Sequence, residues 1–98
     1  MPKAYWISCY RKVSDPDKLV AYAKITTVAI TAGKGRFLAR GIPQHVHESG
    51  VQERTVVVEF PSLADAVATH DGPAYGEALR ALAGGAERDF RIIEGLET

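Results

Sequence analysis

Apolar positions in residues 3–11 follow one another with no strict polar alternation: Tyr5, Trp6, Ile7, Cys9 and Tyr10. Such a run predicts a strand that is apolar on both faces and therefore covered on both. After Ser14-Asp15-Pro16-Asp17 the period changes, and Leu19, Tyr22, Ala23, Thr26 and Ile30 recur at helical spacing. Asp15 can accept from the open amides of a first turn, and Pro16 suits the first helical position. The middle of this segment conflicts with that reading. Ile25-Thr26-Thr27-Val28-Ala29-Ile30-Thr31 is rich in β-branched residues and by propensity alone favours a strand. The start signal, with Gly33-Lys34-Gly35 as a stop, decides for helix.

Residues 36–40 predict a second strand closed by Gly41, with Arg36 and Arg40 on one face by the period of two. Residues 42–53, with Pro43, Ser49 and Gly50, read as a long, hairpin-like connection. Residues 54–60, Arg-Thr-Val-Val-Val-Glu-Phe, are the plainest strand of the chain. Pro61 ends it. Ser62-Leu63-Ala64-Asp65 resembles a capping box and opens a helix with Leu63, Ala66, Val67 and His70 on one stripe. Asp71-Gly72-Pro73 breaks that helix, and Tyr75, Leu79 and Leu82 line its second half. Gly84-Gly85 stops it before a last strand over 88–94.

The order β–α–β–β–α–β is the split βαβ pattern of a ferredoxin-like α+β fold. The expected sheet is four-stranded and antiparallel, with strand order 4-1-3-2 and the helices on one face. The other face of the inner strands is apolar too, and in a chain this short a second copy is the natural cover. Composition sharpens this picture. A length of 98 residues fits one domain over 1–98. Twelve basic and twelve acidic residues cancel, which argues against a nucleic-acid partner, since that needs a concentrated basic face. The 46% hydrophobic content excludes disorder. The single cysteine, Cys9, excludes a disulfide framework and a multi-cysteine metal site; it reads as a small buried residue. The N-terminal residues carry no secretory signal and no run is long enough to span a bilayer, so a cytoplasmic protein without a membrane partner is expected.

Four segments in order carry a resemblance: Gly35-Arg36-Phe37-Leu38-Ala39-Arg40-Gly41, Arg54 leading into Val57-Val58-Glu59-Phe60-Pro61-Ser62, Pro73-Ala74-Tyr75, and Ile93-Glu94-Gly95. Together with Tyr5-Trp6-Ile7 and Asp15-Pro16, they make the chain resemble the bacterial family known as domain of unknown function 1330. The resemblance implies a dimeric α+β barrel, in which two ferredoxin-like protomers put their sheets face to face. That superfamily includes cofactor-free monooxygenases, lactone isomerases and haem-dependent relatives.

Among the candidate residues, Glu59 stands out because it interrupts an apolar inner strand. A carboxylate there must be paired, hydrogen-bonded or shifted in pKa. It is a candidate proton acceptor or, on the plainer reading, half of a structural ion pair. His70 ends the first half of the broken helix, where the dipole suits it. It also borders the break, near Tyr75, where a His–Tyr pair at a cleft mouth could move protons. Tyr22 and Tyr75 sit on faces expected to pack on the sheet, and a buried hydroxyl needs a partner. Arg40 and Arg36 suit a carboxylate, or simply guard a sheet edge. His45 and His47 would face the same way in an extended segment but lack a third ligand in sequence, so no metal is assigned. Gly33-Lys34-Gly35 lacks the spacing of a phosphate loop.

The sequence therefore predicts a homodimeric, cofactor-free protein with a pocket between the sheet and the broken helix. Its expected ligand is a small organic acid held by Arg40 and Tyr22, with Glu59, His70 and Tyr75 as the proton-handling candidates of an isomerase or monooxygenase-like enzyme. The alternatives are a non-catalytic binding module and a purely structural dimer.

Overall fold

Four strands form one antiparallel sheet: β1 (Ala4–Val13), β2 (Arg36–Gly41), β3 (Thr55–Phe60) and β4 (Ala86–Glu94), in the order β2-β3-β1-β4. The structure, a computed structural model, describes residues 2–97. Helices α1 (Pro16–Ala32), α2 (Leu63–Asp71) and α3 (Pro73–Leu82) follow β1 and β3 in the chain. This is the ferredoxin-like α+β arrangement, with the second helix broken at Gly72. Among the described residues no helix is long and apolar enough to cross a membrane.

The ends of α1 show how local chemistry overrides propensity. The Asp15 side chain accepts from the amides of Asp17 and Lys18, and Pro16 opens the helix. The β-branched stretch is helical because Tyr22, Thr26, Ala29 and Ile30 can then all face the core. At the stop, the left-handed residue is Lys34, with φ 72°, and neither glycine takes that role. Gly33 and Gly35 supply room. A Cβ on Gly35 would lie 2.7 Å from both Ile30 Cγ2 and the Phe60 ring.

The core lies between the helices and the sheet face that carries Ala4, Trp6 and Tyr10 of β1 with Val56, Val58 and Phe60 of β3. Trp6 is its centre. Its ring centroid lies 4.9 Å from that of Tyr75, 5.0 Å from Phe60 and 5.3 Å from Phe90. Its indole N–H donates to the Ala66 carbonyl at 3.0 Å. That bond draws α2 onto the sheet with Ala66 innermost, so Leu63 and Val67 are pushed to the outside, against the stripe predicted from spacing. In α3 the same shift puts Ala78 beside Tyr75 and Leu82 in the core and leaves Leu79 at the rim.

Among the described residues the opposite sheet face carries no helix. Tyr5, Ile7 and Val57 are half-buried there, and Ile93 is exposed. Cys9 shares this face and is exposed, contrary to the buried position expected for it. Odd-numbered residues of β1 point away from the helices, and the period of two leaves Cys9 no other choice.

Candidate functional site

A β-bulge decides what β2 offers to the helix side. Arg36 pairs with Glu59 and Phe37 with Val58, but Ala39 pairs with Val57 and Arg40 with Val56, so Leu38 is an extra residue. Arg36 and Arg40 therefore lie on opposite faces, not the shared face that uninterrupted alternation predicts. Arg36 joins Glu59 on the open side. Arg40 turns toward the helices, its guanidinium 4.3 Å over the Phe37 ring.

Register then sets Arg40, Val56, Ser8 and Phe90 in one row across the four strands. This row floors a cleft whose roof is α1, through Tyr22, Thr26 and Ile30. The cleft lies under the unbroken helix, not under the broken one as the sequence suggested. Between the break and the sheet, Tyr75 and the Trp6 ring fill the space that a cleft would need; the hollow that the break does leave, at Gly72 and Pro73, lies among the helices against the end of α1. The cleft's empty space, mouth included, is about 370 Å³, while the room in which the centre of a water molecule can move is about 20 Å³. The enclosed part therefore admits one water or the polar head of a guest, as about 10–15 Å³ is the minimum, and the body of a larger guest extends through the open mouth, where Arg40 is exposed.

Among the described residues, three buried polar atoms have no hydrogen-bond partner: Ser8 Oγ, Thr26 Oγ1 and Arg54 Nε. All three residues line this cleft. Ser8 and Thr26 keep only 4% and 5% of their surface exposed. A buried polar group left unpaired costs about 1–3 kcal/mol, so each of the three gains from a water or another polar group placed in the cleft. Ser8 and Arg54 were not singled out in the sequence, and Thr26 only as a packing position. The readable signal was a serine between Trp6 and Tyr10 on the covered face of β1.

Beside the cleft, the Tyr22 and Tyr75 hydroxyls meet at 2.7 Å. Arg88 Nη1 donates to Tyr22 at 2.9 Å and to Tyr75 at 3.4 Å. The Arg88 guanidinium also lies over the rings of Tyr10, Tyr22 and Phe90, at 5.6, 5.0 and 5.2 Å. Burial pushes the Tyr75 hydroxyl well above its ordinary pKa; the neighbouring Tyr22 adds to this and the Arg88 charge opposes it. Burial likewise raises Tyr10, again against Arg88 and Arg54. For Arg88, burial works against the charge, but the surrounding tyrosine oxygens outweigh it and the guanidinium stays ionised.

The other two proton-handling candidates lie elsewhere. Glu59 is on the open face, 3.0 Å from Arg36 Nε and 3.4 Å from Lys3 Nζ, with Tyr5 donating its hydroxyl at 3.4 Å. Desolvation alone would raise its pKa, but the Arg36 hydrogen bond and the two positive charges outweigh that and hold it below the ordinary value. His70 Nδ1 lies 3.0 Å from Asp71 Oδ1, and its ring packs 5.3 Å from the Tyr75 ring without reaching the cleft. Tyr22 and Arg40 thus share the cleft, Tyr75 touches it through Tyr22, His70 stands behind Tyr75, and Glu59 is on the far side of the sheet. His45 lies with Cys9 at a wider hollow, whose empty space with its mouth is about 830 Å³. Among the described residues, no group of three or more His, Cys, Asp or Glu side chains is arranged to hold a metal ion.

The fold has solved relatives at low identity. The RPA0582 protein of unknown function from Rhodopseudomonas palustris is similar at TM-score 0.71 and 16% identity, over 99% of this chain and 85% of that one. A dimeric ferredoxin-like protein of unknown function from Thermobifida fusca is similar at TM-score 0.65 and 16% identity, over 96% of this chain and 92% of its own. SnoaB, a cofactor-independent oxygenase from Streptomyces nogalater, is similar at TM-score 0.60 and 9% identity, over 100% of this chain and 97% of its own. At such identities the likeness is one of fold. Among curated proteins none matches this chain significantly. Residues 3–96 match the family described as a domain of unknown function, DUF1330, and with nearly the whole length covered the chain belongs to that family.

Proposed function

We propose that this protein binds a small organic acid in the cleft between α1 and the sheet, working as one half of a homodimer. The observation that carries the reading is that Ser8, Thr26 and Arg54 all line that one cleft, and that Ser8 Oγ, Thr26 Oγ1 and Arg54 Nε are buried without a partner among the described residues. Arg40 and Tyr22 supply further donors at the same place. No carboxylate lies within ion-pair distance of Arg40 or Arg54 among the described residues, although Glu59, Asp71, Glu77 and Asp89 are all paired elsewhere. Cations kept free of internal partners at a cavity suit an anionic guest.

The homodimer has its support in the open sheet face and in the dimeric descriptions of ferredoxin-like neighbours. A cofactor-free enzyme acting on the bound acid, of monooxygenase or isomerase type, is the second reading. The observation that favours it over a plain binding module is Tyr22, a cleft residue whose hydroxyl is held by Tyr75 and Arg88 as a neutral donor for charge developing on a guest. A thermal-shift screen with aromatic acids and lactones tests the binding. A true ligand raises the melting temperature in proportion to its saturation. No shift from any of them, with an intact dimer, would leave a purely structural role.

A further inference from the structure

We infer that the cleft selects its ligand by charge state: it takes an acid already ionised, and its own side chains do not ionise it. This rests on the cleft being the ligand site. The lining contains no Asp, Glu, His, Lys or Cys. Its polar members are Arg40, Arg54, Tyr10, Tyr22, Ser8 and Thr26. None of these takes up a proton at neutral pH: guanidinium groups only donate, and hydroxyls there are neutral. A proton on the ligand would face donors, with only hydroxyl oxygens to receive it.

Counting protons fixes the direction of the Tyr22 hydroxyl. Tyr75 is fully buried, and its hydroxyl meets two groups, the Tyr22 oxygen and Arg88 Nη1. Arg88 has no acceptor, so the Tyr75 proton goes to Tyr22. The Tyr22 oxygen then receives from Tyr75 and from Arg88, and its own proton has no partner left in the protein. Tyr22 lines the cleft and Tyr75 does not, so of the two hydroxyl protons the Tyr22 one is left for a guest there. The reverse arrangement would leave the Tyr75 proton buried and unsatisfied. Tyr75 and Arg88 are thus positioning residues, and Tyr22 joins Arg54 as a donor to the guest. Among the described residues Arg88 adds a third guanidinium without a carboxylate partner, held against the Tyr10, Tyr22 and Phe90 rings. His70 faces Tyr75 from α2, with its Nδ1 beside Asp71 Oδ1, outside this group.

The test uses 4-nitrophenol, whose ionised form is yellow, at a pH near its own pKa. Trp6, the single tryptophan, lines the cleft, so quenching of its fluorescence, corrected for absorption by the probe, reports occupancy. Colour reports the charge state of what is bound. The expected result is saturable quenching with a gain of yellow, equivalent to about a tenfold preference for the phenolate, or a fall of about one unit in the probe's pKa. Tyr22→Phe and Arg54→Gln should each reduce the gain of colour per bound probe several-fold, and Tyr75→Phe should reduce it less. Tyr5→Phe, on the far face of the sheet, should leave it unchanged. Quenching with a loss of yellow would overturn the inference while sparing the cleft as a binding site. An absence of saturable quenching would remove the cleft reading, and the inference with it.

Discussion

Individual side chains here divide by whether the protein itself satisfies them. Glu59 is satisfied: Arg36, Lys3 and Tyr5 surround it, and its lowered pKa is a statement about stability. Because the folded pKa lies below the unfolded one, the stabilisation is fully present above the unfolded value and is lost as pH falls through the folded value. The expected outcome is that wild type exceeds Glu59→Gln in melting temperature at neutral pH and that the gap closes in acid. A gap that persists in acid would assign the difference to packing. Lys34 is a different case, a lysine held at φ 72°. Left-handed backbone costs an L-residue roughly 1–2 kcal/mol, offset in part by the greater freedom of an unfolded glycine. Lys34→Gly should therefore stabilise by about 0.5–1 kcal/mol in urea unfolding with an unchanged slope. Gly35→Ala, whose Cβ would press on Ile30 and Phe60, should destabilise by about 1–3 kcal/mol in the same assay.

Elements show why spacing alone misplaced some of these residues. The bulge at Leu38 shifts β2 by one position, so Arg40 faces the cleft while Arg36 faces away. Deleting Leu38 should restore a regular ladder and keep Arg40 opposite Val56, seen as a preserved cross-strand NMR contact. Loss of that contact would mean that the strand has slid and that its register is set by something other than the residue count through the bulge. In α2 the Trp6 bond to the Ala66 carbonyl rotates the helix, exchanging the predicted apolar stripe for one centred on Ala66. Val67→Ala should accordingly cost less than about 0.5 kcal/mol. Ala66→Leu should cost about 1–3 kcal/mol by overpacking against the sheet. Both are read from chemical denaturation of the intact protein.

At the scale of the whole molecule, the one-sided sheet is the feature with consequences. Ile7 lies between Val57 and Arg91 on the face without helices, flanked by the ion pairs of Glu59 and Asp89. With two sheets packed face to face, Ile7 would sit in a dry interface, and Ile7→Arg would bury an unpaired charge there. Sedimentation should then give half the wild-type mass, with α1 and the cleft still folded by circular dichroism and Trp6 emission. An unchanged mass would place any interface elsewhere. The order of elements, the Asp15 and Ser62 caps, the helix break and the edge position of β2 were all legible in the sequence, because they depend on neighbours a few residues apart. The family resemblance was legible for the same reason, from short segments in order. Which face Arg40 takes, that Glu59 and Tyr75 lie on opposite sides of the sheet, and that Ser8, Thr26 and Arg54 meet at one cleft were decided only in three dimensions. A single bulge, the draw of one tryptophan on one carbonyl and the register of four strands settle those positions, and none of these is a property of local sequence.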